Sequence, residues 1–157
     1  MDQHIYSLQL DWTGNKGKGT SAYAAYSRDH DIIIDQKPVL HCSSDPLFRG
    51  DQLKHNPEDF LLAAVASCHM LWYLHLCADQ NVVVISYQDN PKGILSLHDN
   101  GSGQFTCITL YPKVHITTES DIQLAISLHK AASMYCFIAN SLNIEVCHSP
   151  EIFKGDT

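Results

Sequence analysis

The chain has 157 residues, 45% of them hydrophobic and 17% charged, with a formal net charge of −7. That length suits one domain burying roughly 68–70% of its unfolded surface, and the composition excludes a disordered chain. Lys and Arg total only 10 and form no cluster, which argues against nucleic acid or an anionic membrane as partner.

In chain order, "HIYSLQLDW" alternates, with Tyr6, Leu8, Leu10 and Trp12 on one face and Ser7, Gln9 and Asp11 on the other. This predicts a half-buried strand. The glycines of "TGNKGKGT" then mark a hairpin turn, and "SAYAAYSR" and "DIIID" read as two more short strands. A long loop is expected over "CSSDPLFRGDQLKHNP", rich in Pro, Gly, Ser and Asp.

A helix follows. Asn56 can cap it, Pro57 suits its first position, and Glu58 and Asp59 favour the positive end of its dipole. From Phe60 to Cys77 the residues are apolar almost all round, so burial on most sides is expected. "VVVISYQD", "GILSLHD" and "QFTCITLYPKVHI" predict three strands joined at "NPKG" and "NGSG". A second helix is expected from Thr118 to about Ser141, opening at "TESD", and "IEVCH" reads as a last strand. Neighbouring strands separated by helices imply an antiparallel α+β arrangement. A helix apolar on nearly every face needs more cover than a single sheet offers, and dimerisation would supply it.

Cysteines stand at 42, 68, 77, 107, 136 and 147, with no CxxC pair. A zinc ribbon and a thioredoxin motif are therefore excluded. "MDQHIYSLQL" shows no basic region followed by an apolar run, so a cytoplasmic location is expected, with most thiols free. Any pair that does bond would be catalytic.

Cys68 lies mid-helix, where the dipole cannot lower its pKa and apolar surroundings would leave it inert. Reactivity requires a nearby cation, and the only arginines are Arg28 and Arg49. Arg49 lies in the loop entering the helix, and Glu58 is a natural partner for its guanidinium. Glu58 and Cys68 are about 80° from eclipsed and ~15 Å apart along a straight helix, so a link needs the long arginine or a neighbouring subunit. Cys136, in "MYCFIANS", is again the one thiol in an apolar surround, and packing of the two helices would decide whether it meets Cys68. His69 points roughly 100° away from Cys68 and reads as a hydrogen-bonded packing residue.

"NPEDFLLAAVASCHM", with "CFIANS" some 70 residues later, resembles the OsmC/Ohr family of osmotically induced and organic-hydroperoxide-resistance proteins. The resemblance spans the early glycine turn, the Asn-Pro-Glu helix start, the helix cysteine and the second cysteine. It implies an intertwined α+β homodimer, with antiparallel sheets wrapped around two central helices, as a single domain over 1–157. It further implies a thiol peroxidase: Cys68 attacks an organic hydroperoxide, Cys136 resolves the sulfenic acid as a disulfide, and an external dithiol restores both. Glu58 resembles the acidic residue that orients an arginine. Better-known branches place that arginine in the first hairpin turn, where this chain has Lys16 and Lys18. Arg49 is the expected substitute, with Lys16, Lys18 and Arg28 as the other available cations. No metal or cofactor is expected. The rival reading is an OsmC-fold protein without peroxidase activity that binds a small molecule or a metal, given 10 histidines and the "HC", "HLC" and "CH" stretches.

Overall fold

The computed structural model describes residues 3–155 and divides into two compact units, Met1–Leu61 and Leu62–Thr157. The first unit is an antiparallel three-stranded sheet, β1 (Gln9–Trp12), β2 (His30–Ile33) and β3 (Leu40–Cys42), in the order β1-β2-β3. Leu10 faces Ile32 and Ile32 faces Leu40 across the two ladders. Only the last four residues of the first predicted strand pair, and Tyr6, Leu8 and Leu10 stand exposed.

The expected strand over 21–28 is a turn instead. Tyr23 and Tyr26, three residues apart, close on the Arg28 guanidinium, whose Cζ lies 4.2 Å from each ring centroid. Trp12 pins the turn by donating from Nε1 to the Ser27 carbonyl at 2.9 Å. A Cβ on Gly14 would sit 1.9 Å from that same carbonyl oxygen, so no other residue fits there.

The loop carries one 3-10 turn, Pro46–Phe48, capped by Asp45. Helix α1 (Pro57–Asp79) then starts as expected. Asn56 Oδ1 accepts from Asp59 N at 2.8 Å, while Asp59 Oδ2 accepts from Asn56 N at 3.2 Å, a reciprocal cap.

In the second unit α1 is followed by β4 (Val84–Gln88), β5 (Lys92–Leu97), β6 (Gly103–Leu110) and β7 (Lys113–Ile116). Helices α2 (Ile122–Tyr135) and α3 (Phe137–Asn140) come next, then β8 (Glu145–His148) and β9 (Glu151–Lys154). "QFTCITLYPKVHI" is thus two strands, broken at Tyr111 and Pro112. The Tyr111 amide leaves the ladder to bond Asp89 Oδ1 at 2.7 Å, and Pro112 has no amide to donate. The two strands enter different sheets, β5-β6-β8 and β4-β7-β9.

In these two sheets the expected antiparallel pairs, β5 with β6 and β4 with β7, are joined by parallel ones. β6 pairs β8 and β7 pairs β9 in parallel, because the chain crosses over through α2 and α3 before returning. β9 escaped the sequence pattern because it is four residues long and directly follows Pro150.

Burial of α1 is narrower than its composition implies. Val65, His69, Tyr73 and Cys77, each one turn from the last, form its buried stripe, whereas Leu71 is 62% exposed. The helix is long and apolar enough to cross a bilayer, a property that core helices share. Its stripe closes one core with Val114, Ile116, Ala125 and Leu128, and another with Ile108 and Leu110.

Candidate functional site

Cys68 and Cys136 come together in the second unit, close enough for the Cys68 thiol to raise that of Cys136. All six cysteines are free thiols. Cys68 is half-buried, at the exposed flank of the α1 stripe, while Cys136 is buried at 1% exposure. Position 136 is not helical, contrary to the single helix expected from Thr118 to Ser141. α2 begins only at Ile122, with Asp121 accepting from the Gln123 and Leu124 amides at 2.8 and 3.1 Å. It ends at Tyr135, and Cys136 is extended (φ −67°, ψ 104°) before α3 restarts the helix.

The Cys136 thiol itself caps that restart, its Sγ accepting from Ala139 N at 3.5 Å. Asn140 Nδ2 ties the break from below by donating to the Met134 carbonyl at 2.9 Å. Burial pushes the Cys136 thiol up to about 11, with the neighbouring Cys68 thiol adding to the shift. Cys136 is thus a protonated thiol near neutral pH, suited to receive an oxidised partner and unsuited to attack first.

Two spaces open beside the pair. Leu71 and Trp72 lie three and four residues beyond Cys68, and their side chains tilt back toward it. With His75 they line a shallow apolar trough of about 270 Å³. Trp72 stacks on Tyr135 with centroids 5.1 Å apart and meets Phe137 edge-on at 5.5 Å, so aromatic rings from both sides of Cys136 gather there. The other space, about 190 Å³, is lined by Val65, His69, Ser133, Cys136, Asn140 and Val146 among others.

Behind the pair sits a histidine cluster. His69 Nε2 and His129 Nδ1 are 3.0 Å apart, sharing one proton between two rings that lie within 9° of parallel. His129 stacks on Tyr73 at 3.8 Å, and His148 meets both histidines edge-on. Burial depresses both, to about 4 for His69 and about 3 for His129, with His148 adding repulsion in each case. His69 is therefore a neutral, hydrogen-bonded core residue. Sequence reasoning passed over His129, although a histidine in the apolar stripe Ala125, Leu128, Ala132 was a readable signal.

The remaining expected residues lie in the first unit. Arg49 takes a left-handed backbone (φ 67°) at the end of the 3-10 turn, with its Cζ 5.9 Å from the Tyr23 ring centroid. Arg28 stacks on the same ring and donates from Nη1 to the Tyr26 carbonyl at 2.8 Å. Both arginines of the chain thus gather on one tyrosine. Glu58 occupies the first turn of α1 and makes no ion pair among the described residues. Lys16 and Lys18 are exposed in the glycine turn. Among the described residues, no group of three or more His, Cys, Asp or Glu side chains is placed to hold a metal ion.

A mixed α+β fold that brings together two free thiols, one on α1 and one at the break between α2 and α3, defines a small dithiol protein. A model of the OsmC-like protein family matches residues 50–149. The chain belongs to that family. The solved structure of an OsmC-like protein of unknown function from Vibrio cholerae is 30% identical, with a TM-score of 0.85 over 95% of this chain and 100% of that one. An organic hydroperoxide resistance protein from Legionella pneumophila shares the fold at 16% identity and a TM-score of 0.64, covering 96% and 98% of the two chains. The organic hydroperoxide resistance protein OhrB of Bacillus subtilis does so at 18% and 0.62, covering 94% and 98%. Among curated proteins, none matches this chain.

Proposed function

We propose that this protein is a thiol-dependent peroxidase that reduces organic hydroperoxides to alcohols. The observation that carries this reading is the pairing of the Cys68 and Cys136 thiols, with the apolar trough of Leu71, Trp72 and His75 beginning one helical turn from Cys68. The Cys68 thiolate attacks the distal peroxide oxygen, the O–O bond breaks, and the alkoxide leaves and takes a proton to give the alcohol. Cys68 is left as a sulfenic acid. The Cys136 sulfur then displaces hydroxide from it, its proton going to form water, and a disulfide results. An external dithiol returns both sulfurs to thiols by exchange. The trough favours a peroxide with an apolar organic group over hydrogen peroxide.

A stoichiometric pulse of cumene hydroperoxide tests this directly. Intact mass should fall by two hydrogens, and peptide mapping should place the bond between positions 68 and 136. An unchanged mass would instead favour a family member that keeps the fold and binds a small molecule or a metal without this chemistry.

Arg49 is the proposed cation for the thiolate and the developing alkoxide, although the expected ion pair with Glu58 is absent among the described residues. Arg49→Ala is then expected to slow peroxide consumption ~10²-fold or more, the usual cost of losing one such donor. Arg49→Lys should recover little, because an ammonium lacks the planar fork. Unchanged stopped-flow kinetics in both variants would transfer the role to Arg28, Lys16 or Lys18.

We further propose that the working form is a homodimer. Leu71, Met134 and Phe137, flanking the thiol pair, are 62%, 69% and 66% exposed in the single chain. Apolar groups so concentrated mark an interface. Light scattering at micromolar concentration should give twice the chain mass, and a stable folded monomer would contradict the proposal.

A further inference from the structure

Two more cysteines meet on the opposite side of the β5-β6-β8 sheet from the core. β6 and β8 run parallel, with Cys107 opposite Glu145 and Thr109 opposite Cys147. Side chains alternate across a strand, so these four share one face, while Ile108, Leu110 and Val146 pack inward. β5 adds Ile94, which is 60% exposed, opposite Cys107 and Lys92 opposite Thr109. Neither thiol is fully buried. Cys107 Sγ lies 3.6 Å from Thr109 Oγ1, and the register makes Cys107 and Cys147 diagonal neighbours on this face, close enough for Cys107 to help raise the Cys147 thiol.

We propose that Cys107 and Cys147 are a second dithiol, which closes reversibly to a disulfide by exchange with small-molecule disulfides. The Cys107 thiolate attacks one sulfur of the incoming disulfide RSSR, forming a mixed disulfide and expelling RS⁻. The Cys147 thiolate then attacks the Cys107 sulfur and expels the second RS⁻. Two electrons pass from the protein to RSSR, and the two thiol protons go to solvent or to the departing thiolates. Glu145, opposite Cys107 and two residues before Cys147 on the same face of β8, holds the Cys147 thiol above its ordinary range by hydrogen bonding, aided by desolvation, which suits Cys147 to the second step.

Reversibility follows from the register. On adjacent strands ~4.8 Å apart with a rise of ~3.3 Å per residue, cysteines offset by two residues have Cα atoms about 8 Å apart, beyond the ~4.4–6.8 Å a disulfide prefers. Closing the bond therefore needs a backbone shift along the strands, and a bond formed under such strain is readily reduced. Val146, next to Cys147 on the inner face, lines the space onto which Cys136 opens, so closure would tighten that wall.

Wild-type protein incubated with oxidised glutathione at pH 8, acid-quenched and peptide-mapped, tests the proposal. A Cys107–Cys147 linkage should form at least tenfold faster than any change at Cys42 or Cys77, which are 0% and 1% exposed. Cys147→Ser should stop with a single glutathione on Cys107. Two alkylatable thiols in wild type, a persistent glutathione on Cys107, or linkage of Cys107 to any other cysteine would overturn it. A bond between positions 68 and 136 maps to different peptides, so the wild-type result stands whatever the peroxidase chemistry proves to be.

Discussion

Cys68→Ser is expected to abolish even a single turnover with an organic hydroperoxide, whereas Cys136→Ser should consume one equivalent and then stop. A serine hydroxyl is not ionised near neutral pH, so removing the Cys68 sulfur removes the nucleophile. Removing the Cys136 sulfur leaves that nucleophile intact but strands it as a sulfenic acid, which dimedone should trap and excess peroxide should over-oxidise. The asymmetry follows from the environments of the two thiols. Cys136 is buried, pushed up to about 11, and committed to the Ala139 amide, while Cys68 lies half-buried one helical turn from the trough residues Leu71 and Trp72. Serine at 136 can still cap α3 through its hydroxyl, so the fold at the helix break should survive. Repeated turnover by the Cys136 variant, or retained activity in Cys68→Ser, would show that the roles are wrongly assigned.

What the sequence made legible is local. The start of α1 could be read because Asn56, Pro57 and Asp59 act within one turn, and the reciprocal Asn56–Asp59 bonds form there. The α+β class followed in the same way from strand and helix periods. The break at Cys136 was hidden, since neither proline nor glycine announces it. A thiol acts there as a cap, which position 136 gains only where the chain turns. The parallel pairing of β8 and β9 was hidden too, because strands of four residues carry too little pattern to choose a partner across a helical crossover. The turn over 21–28 was misread because its two tyrosines, three residues apart, meet only through the Arg28 guanidinium between them, a contact that composition does not announce. For the site, two thiols in apolar helices could be picked out, but their contact is a product of packing. The histidine cluster needs three separate elements, α1, α2 and β8, to converge.

That cluster gives the second large effect, a loss of stability between pH 6.5 and 4. A histidine depressed in the folded state binds a proton more readily once unfolded, so acid favours unfolding. For His69 the depression runs from 6.5 to about 4, and for His129 from 6.5 to about 3. Their stabilisation is full above pH 6.5 and is lost as pH falls toward those folded values. At 1.36 kcal/mol per tenfold, His69 alone accounts for about 3 kcal/mol, a large share of the ~5–15 kcal/mol typical of a domain. Depressed carboxylates such as Asp29 act with the same sign but only below the ordinary carboxylate range. Asp89, raised by burial, acts in the opposite direction. Urea midpoints should therefore fall steeply from pH 6.5 to 4.5, where histidines titrate and most carboxylates do not. Replacing the pair together, His69→Leu with His129→Phe, removes both partners of the shared hydrogen bond and keeps a ring stacked on Tyr73. The double variant should hold its midpoint nearly level across that window, apart from a smaller residual slope from His148, which burial also depresses. An unflattened slope would place the acid sensitivity elsewhere in the fold.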